Sequence, residues 1–404
     1  MTTIKKWLCR ILAVANILVV VMMLLTGYSG YVNPVDHPLW AASGMAFPLV
    51  LAANVIFIPV WLLLRRRYLL IPLLGIVFCF SPVRTYIPFN FVSEPPEGSI
   101  KVISFNVHLF EGWRYHTRRD NPTVNYLLDA DADIICLQEA GLSEVRNVKV
   151  DKLMAKRYPY VSRTMNQSNG VALYSKWPIL STERIEYASA GNVSDASLVL
   201  IDGDTVLVVN NHLETYGLSP DDKLDFDDIV TGKEQTEEST AKDTNDKSVK
   251  NDKSAKSDKS VKGDKKDKSK KKDKKNKQKK KKKKKTRWDY LEAVKRADKL
   301  RAPQAEAVAD YIRRSGVKSV IVCGDLNDHP LSYAHHTVGK GLTDCFVAGG
   351  NGPGFTYDHH KMYFRIDHIF CSKDWRCYTC HVDRNVSLSD HYPVICTLKK
   401  RLNR

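Results

Sequence analysis

Charged residues are scarce at the start of this 404-residue chain, and apolar residues are scarce in its middle. The first shortage covers about ninety positions. Three apolar runs lie there, Trp7 to Leu25, Trp40 to Leu64 and Tyr68 to Val83, and Arg10 alone interrupts the first. A bilayer core needs about 20 apolar residues per helix, and runs this poor in charge do not suit the half-exposed helices of a soluble protein. They predict a transmembrane region over residues 1–90, with helices at 7–26, 40–64 and 68–84, and a linker at 91–99. No small-residue cleavage site cleanly follows the first run, and its apolar stretch is too long for a signal peptide. Lys5, Lys6 and Arg10 precede the first run and Arg65, Arg66 and Arg67 follow the second. Positive residues stay cytoplasmic, so a third crossing delivers residue 85 onward to the extracytoplasmic side of a cell (inner) membrane. If the short third run does not cross, the remainder stays in the cytoplasm.

The second shortage lies between residues 220 and 287. From Lys242 to Arg287 there is no glutamate, and twenty-three lysines and one arginine stand against seven aspartates, which equals the whole +17 excess of the chain. The rest is near neutral, so any inference about polyanion binding attaches to this segment alone. With almost nothing apolar to offset the entropy of ordering, a disordered insertion is expected. Its partners are either none, or anionic lipid and other polyanions. Cysteines are also thinly spread. Cys136, Cys323 and Cys396 sit in apolar runs as buried thiols. Cys377 and Cys380 make a CxxC without a second pair, a weak zinc or redox signal that leaves a local disulfide open.

What remains, residues 100–400 without the insertion, alternates apolar β-type runs with helical periodicity. SIKVISFNVHLF, ADIICLQEA, GVALYSKWPI, SLVLIDGDTVLVVNNHLE, KSVIVCGDLND, RIDHIFCS and HYPVICTLKK read as strands, with a hairpin at LIDGDTVLVV. Helices are expected around 121–129 and 288–314. Such mixing predicts an α/β sandwich.

Several of these strands end in groups that carry chemistry: Asn106 in ISFNV, Glu139 in ICLQEA, His212 in VVNNHLET, Asp325 and Asn327 in VCGDLND, Asp367 in RIDHIF, and Asp390 and His391 in LSDHYPV. Singly, Asn106, Asp325 and Asn327 are ordinary turn formers and Asp367 a strand-end cap. Together they offer hard oxygen donors and imidazoles at strand ends, which suits Mg²⁺ or Mn²⁺ and phosphoryl chemistry.

In this order the blocks resemble the endonuclease/exonuclease/phosphatase superfamily, of DNase I-like fold, in a membrane-anchored bacterial-type form. The resemblance implies a four-layer α/β sandwich and a metal-dependent hydrolase of phosphate esters. It implies Glu139, Asn106 and Asp390 around the metal, and Asp325 on the attacking water. Asn327, His391 and His212 are implied at the phosphate, with Asp367 fixing the His391 tautomer. Arg301 and Gln304 in RAPQAEAV resemble an RxxQ that binds substrate, and Asn169 is expected to touch phosphate as well. The abasic-site branch places tyrosine near position 212, so His212 argues against it. His108, His335, His336, His359, His360 and His368 read as surface or structural histidines. Substrate alternatives are nucleic acid, a phospholipid or sphingomyelin-type headgroup, and a small phosphomonoester. A tethered polyanion-binding protein is the non-enzymatic alternative.

Overall fold

The computed structural model describes residues 3–91, 93–111, 121–141, 143–167, 169–218, 222, 286–359 and 362–401. Two compact units result, Met1–Gly217 with Leu291–Arg404, and Leu218–Tyr290. The insertion expected at 220–287 lies outside the described residues apart from Asp222 and the last two positions.

Two N-terminal helices, Ile4–Gly27 and Pro38–Leu64, are long and apolar enough to cross a membrane. The third apolar run forms a helix pair, Arg66–Phe78 and Phe80–Tyr86, bent by 65°. Buried amides join the three segments. Asn16 donates to Asn54 Oδ1 at 3.2 Å, Trp61 donates to Asn16 Oδ1 at 2.9 Å, and Asn54 donates to the Pro72 carbonyl at 3.0 Å. Apolar clusters pack both ends of this bundle. Cys9, Ala13 and Trp61 pack with Tyr68 and Ile71 at one end, and Met23, Phe47, Leu51 and Cys79 pack with Val83 and Tyr86 at the other.

Fourteen strands follow in the described chain. The first sheet contains β1 (Ile100–Asn106), β2 (Ile134–Gln138), β3 (Tyr160–Asn166), β4 (Asn169–Ser175), β13 (Trp375–Val382) and β14 (Val394–Lys400). The second contains β5 (Ile179–Ile185), β6 (Val193–Ile201), β7 (Asp204–His212), β8 (Val320–Asp325), β9 (Thr343–Asp344) and β12 (Asp367–Cys371). β10 (Tyr357–His359) and β11 (Met362–Phe364) make a separate hairpin. The sheet orders are β13-β14-β1-β2-β4-β3 and β5-β6-β7-β8-β12-β9.

Period-two alternation makes the layers. Val102, Ile134, Cys136, Val206, Val208, Ile321 and Cys323 form the core between the sheets. Their neighbours Ile103, Phe105, Ile135 and Leu137 point outward to Val124 and Leu127 of the helix Pro122–Ala130 and to Met154 of the helix Glu144–Met154. On the other outer face Leu207, Val209, Val320 and Val322 meet Ala305 and Val308 of the helix Arg287–Ser315. Strands buried on both faces are continuously apolar, as parallel pairs require. The result is the four-layer α/β sandwich with apolar helices before it.

The topology gathers strand ends. β1 and β2 run parallel with Asn106 beside Gln138, and β7 and β8 run parallel with His212 beside Asp325. β12 is antiparallel to β8 and starts with Asp367 opposite Asp325. β14 is antiparallel to β1, so the Asp390–His391 segment preceding it arrives at the same edge.

Candidate active site

Each tip is fixed by a local device. Glu139, one residue beyond β2, has φ +50°, and Asn327, two beyond β8, has φ +51°. This left-handed conformation is uncommon for a residue such as glutamate and more accessible to asparagine. The Asn327 N–H closes a turn onto Asp325 Oδ1 at 2.8 Å, and its amide donates to the Leu213 carbonyl at 2.9 Å. Ser389 donates its hydroxyl to the Asn106 carbonyl at 2.7 Å, which ties the Asp390–His391 segment to β1.

The side chains then meet. Asn106 donates to Asp325 Oδ2 at 3.0 Å and to Glu139 Oε1 at 3.3 Å, and its own oxygen accepts from the His108 N–H at 3.1 Å. His212 Nε2 lies 3.8 Å from Glu139 Oε1 and 3.9 Å from Asp325 Oδ2. Asn169 turns its amide NH₂ to His212 Nδ1 at 3.5 Å, so Nδ1 accepts and the ring proton sits on Nε2, which has no hydrogen-bond partner. His391 Nδ1 bonds Asp367 Oδ2 at 2.8 Å while its Nε2 stands 3.7 Å from Asp325 Oδ2. Tyr357 packs edge-on against the His391 ring, centroids 5.3 Å apart.

Burial and charge set the protonation states. Burial lowers the basicity of His391, but the Asp367 and Asp325 carboxylates outweigh it and raise the imidazole to about 10. Burial, reinforced by Asp367, lifts Asp325 to about 6 against the pull of His391 and His212. The pair therefore holds an ionised carboxylate of raised basicity beside an imidazolium at neutral pH, a general base next to a donor.

Among the described residues, the basic side chains within 4.0 Å of the Glu139 and Asp325 carboxylates are histidines alone. Two carboxylates share one Asn106 amide, Asp367 Oδ1 is buried without a partner, and Asp390 adds a further acid at the rim. This excess of hard oxygen fits a divalent cation held by oxygen ligands. Asn106 acts as a donor in its present rotamer, so its oxygen reaches a cation only if the amide turns over.

Arg301 and Gln304 are not brought to this edge. Arg301 is fully buried, its guanidinium held by Asp298, by Asp328 at 3.2 Å and by the Glu214 carbonyl at 2.9 Å, and stacked on Tyr216 at 4.5 Å. Gln304 accepts from the Glu214 N–H at 2.8 Å and donates to the Ala188 carbonyl at 3.0 Å. Both donors are consumed in bracing the segment after β7. Asn169 contacts His212, which places it behind the imidazole. Ser389, Tyr357 and His108 were missed. His108 has φ +42° and lies 3.6 Å from Asp390 Oδ1, and only its position two residues beyond Asn106 could have signalled it. Cys377 and Cys380 are free thiols.

A two-sheet sandwich with carboxylates and imidazoles converging on one edge defines a hydrolase of phosphate esters. The model of the Endonuclease/Exonuclease/phosphatase family matches residues 103–391, and the chain belongs to that family, whose members are phosphoesterases that commonly use divalent metal ions. A second family model, Domain of unknown function (DUF8431), matches residues 9–86. No curated protein matches the chain. Truncated Caenorhabditis elegans TDP2 is similar with a TM-score of 0.48 at 14% identity, covering 76% of this chain and 99% of that one. An endonuclease/exonuclease/phosphatase from Bacteroides vulgatus has a TM-score of 0.47 at 14% identity, covering 76% and 100%. SmcL has a TM-score of 0.45 at 15% identity, covering 75% and 100%.

Proposed function

We propose that this chain is a membrane-anchored, Mg²⁺-dependent phosphodiesterase. The observation that carries the reading is the meeting of Glu139, His212, Asp325 and the Asp367–His391 pair, from five strands of two sheets, through contacts of 2.8 to 3.9 Å. Glu139 and Asp390, with Asn106 beside them, would hold Mg²⁺, for which Mn²⁺ substitutes. Bound there, such a cation would supply Lewis-acid polarisation of the phosphoryl group and charge stabilisation at the leaving oxygen. Asp325 orients the attacking water and takes its proton as the new phosphorus–oxygen bond forms and the ester bond breaks. His391, His212 and the second amide N–H of Asn327 donate to the phosphate oxygens. Asp367 keeps the His391 proton on the ring, and Asn169 orients His212.

Among phosphodiesters, a lipid headgroup has a specific observation in its favour over nucleic acid. The loop that begins at Asp325 packs on the apolar helices six residues later. Leu331 joins the Met23–Phe47–Cys79 cluster, and Ser29 donates to its carbonyl at 3.2 Å. Six residues span at most about 20 Å, so the base lies within reach of a membrane surface. Packing of the bent pair at both ends of the bundle supports a third crossing, which puts the catalytic domain outside the cytoplasm.

The test uses the full chain in detergent micelles, offered phospholipids, sphingomyelin, plasmid DNA, RNA and inositol phosphates with Mg²⁺ or EDTA. Turnover requires Mg²⁺ and falls by about 10²–10⁴ in Asp325→Asn and in His391→Ala. Turnover in EDTA, or full activity in His391→Ala, refutes the mechanism. A tethered polyanion binder would bind its ligand equally in Asp325→Asn and turn over nothing.

A further inference from the structure

A second cluster of ligating side chains stands on the helix-facing side of the sandwich. Its members are His335 in the helix Tyr333–Val338, Asp344 at the end of β9, and His368 in β12. Each offers one ligand atom, and the three atoms lie within 4.8 Å of one another. His335 Nε2 is 2.9 Å from Asp344 Oδ2, and the two imidazole rings are edge to face with centroids 4.6 Å apart. Asp344 divides its oxygens: Oδ1 caps the helix Cys345–Gly349 through the Phe346 and Val347 N–H groups at 2.8 and 3.0 Å, which leaves Oδ2 for the cluster.

His368 supplies the independent observation. Only 2% exposed, it places Nε2 3.1 Å from the Asp328 carbonyl. A carbonyl only accepts, so the proton is on Nε2 and Nδ1 carries a lone pair. That Nδ1 is buried with no hydrogen-bond partner. A buried acceptor left unsatisfied is costly. A neutral imidazole whose other nitrogen donates to a backbone carbonyl is the tautomer that metal-binding histidines adopt.

We propose that His335, Asp344 and His368 form a site for a divalent transition metal of the zinc class, separate from the catalytic cation. Two nitrogens and one carboxylate suit zinc and exclude Mg²⁺ as the preferred occupant. Tetrahedral zinc ligands stand about 3.4 Å apart, so the triad needs a short closing movement and the release of the proton that His335 Nε2 donates to Asp344 Oδ2. The fourth position has an outlet: His335 and Asp344 line a cavity of about 280 Å³ shared with Tyr28, Tyr31 and Pro82 of the N-terminal region and with Lys340. A metal there would clamp the loop after β8 and the start of β12 where both meet the N-terminal region. The site is independent of the proposed catalytic function.

The test strips the purified full chain with EDTA, reloads it with Zn²⁺ or Co²⁺, removes free metal, and measures bound metal and the thermal midpoint. The unaltered protein, His391→Ala and the neighbouring control His336→Gln each retain about one zinc that His335→Gln and His368→Gln do not. Zinc raises the midpoint of the first three and not of the last two. If either histidine variant fails to fold, Asp344→Asn, which keeps the helix cap, replaces it and is expected to lose the zinc. The Co²⁺ form absorbs in the visible without an intense near-ultraviolet thiolate band. Equal zinc retention in His335→Gln, loss of the zinc in His391→Ala, or a thiolate band from the nearby Cys345, Cys377 and Cys396 would each overturn the assignment.

Discussion

His329 illustrates how one residue between the site and the apolar helices sets a condition on the whole fold. It is 5% exposed, and its Nδ1 accepts the Leu331 N–H at 3.2 Å. Burial, only partly offset by the Asp328 carboxylate, pushes the imidazole down to about 4, with the Arg301 and His335 charges acting in the same direction. The folded state thus favours the neutral ring. Stability from this group is complete above the unfolded value of about 6.5 and is lost as pH falls from there toward 4, by about 3 kcal/mol in all. Thermal midpoints taken from pH 7.5 to 4.5 are expected to fall steeply in the unaltered protein and less in His329→Asn, whose amide oxygen replaces the Nδ1 acceptor. Equal slopes would place the acid sensitivity elsewhere. At this same scale the polar tips were legible in the sequence, because an apolar strand ending in Asn, Glu, His or Asp announces an edge. Arg301 and Gln304 were misread for the opposite reason. Their spacing puts both on one helix face but does not say whether that face meets the substrate or the segment behind it. His335 and His368 looked ordinary because their partner Asp344 enters from a third element, which spacing alone does not reveal.

At the scale of elements, the alternation of core residues predicted both sheets and their layering, and the Gly203 turn at φ +91° closes the hairpin read at LIDGDTVLVV. Buried hydrogen bonding between elements was not legible. Gln138 donates to Asn210 Oδ1 at 2.7 Å across the two sheets, and Asn16 and Asn54 join the apolar helices; in sequence the latter two are isolated amides inside apolar runs, and the former two are the first polar residues after one. Gly324 was likewise only one letter of a motif. Its φ of +143° and its approach to β7 make it indispensable, because a Cβ there would sit 2.2 Å from the Asn211 carbonyl oxygen. That atom is backbone and cannot swing aside. Gly324→Ala is expected to cost at least about 2 kcal/mol by combining an unfavourable φ with overpacking. The same strain shifts Asp325, the next residue, so turnover should fall together with the thermal midpoint. A variant with normal stability and normal turnover would mean that the β7–β8 pairing tolerates a wider spacing than the structure has.

At the scale of the molecule, three chemistries are joined in one chain: apolar helices, a near-neutral α/β body and a lysine-rich insertion. The charge ledger assigns the whole +17 excess to residues 242–287, outside the described region except for its last two positions. Electrostatic attraction to an anionic bilayer would therefore come from the insertion, at about 1 kcal/mol for each lysine near the surface and falling with salt. Deleting residues 233–286 removes that attraction and leaves the Glu139–Asp325–His391 contacts and the layered core untouched. The deletion variant, released in detergent, is expected to keep its thermal midpoint and its turnover of a soluble phosphodiester. Its turnover of anionic-lipid vesicles should lack the salt dependence expected of the full chain, because at high salt the two proteins become alike. Vesicle turnover by the full chain that is indifferent to salt would separate the insertion from substrate capture. A fall in the thermal midpoint on deletion would instead make the insertion part of the folded body.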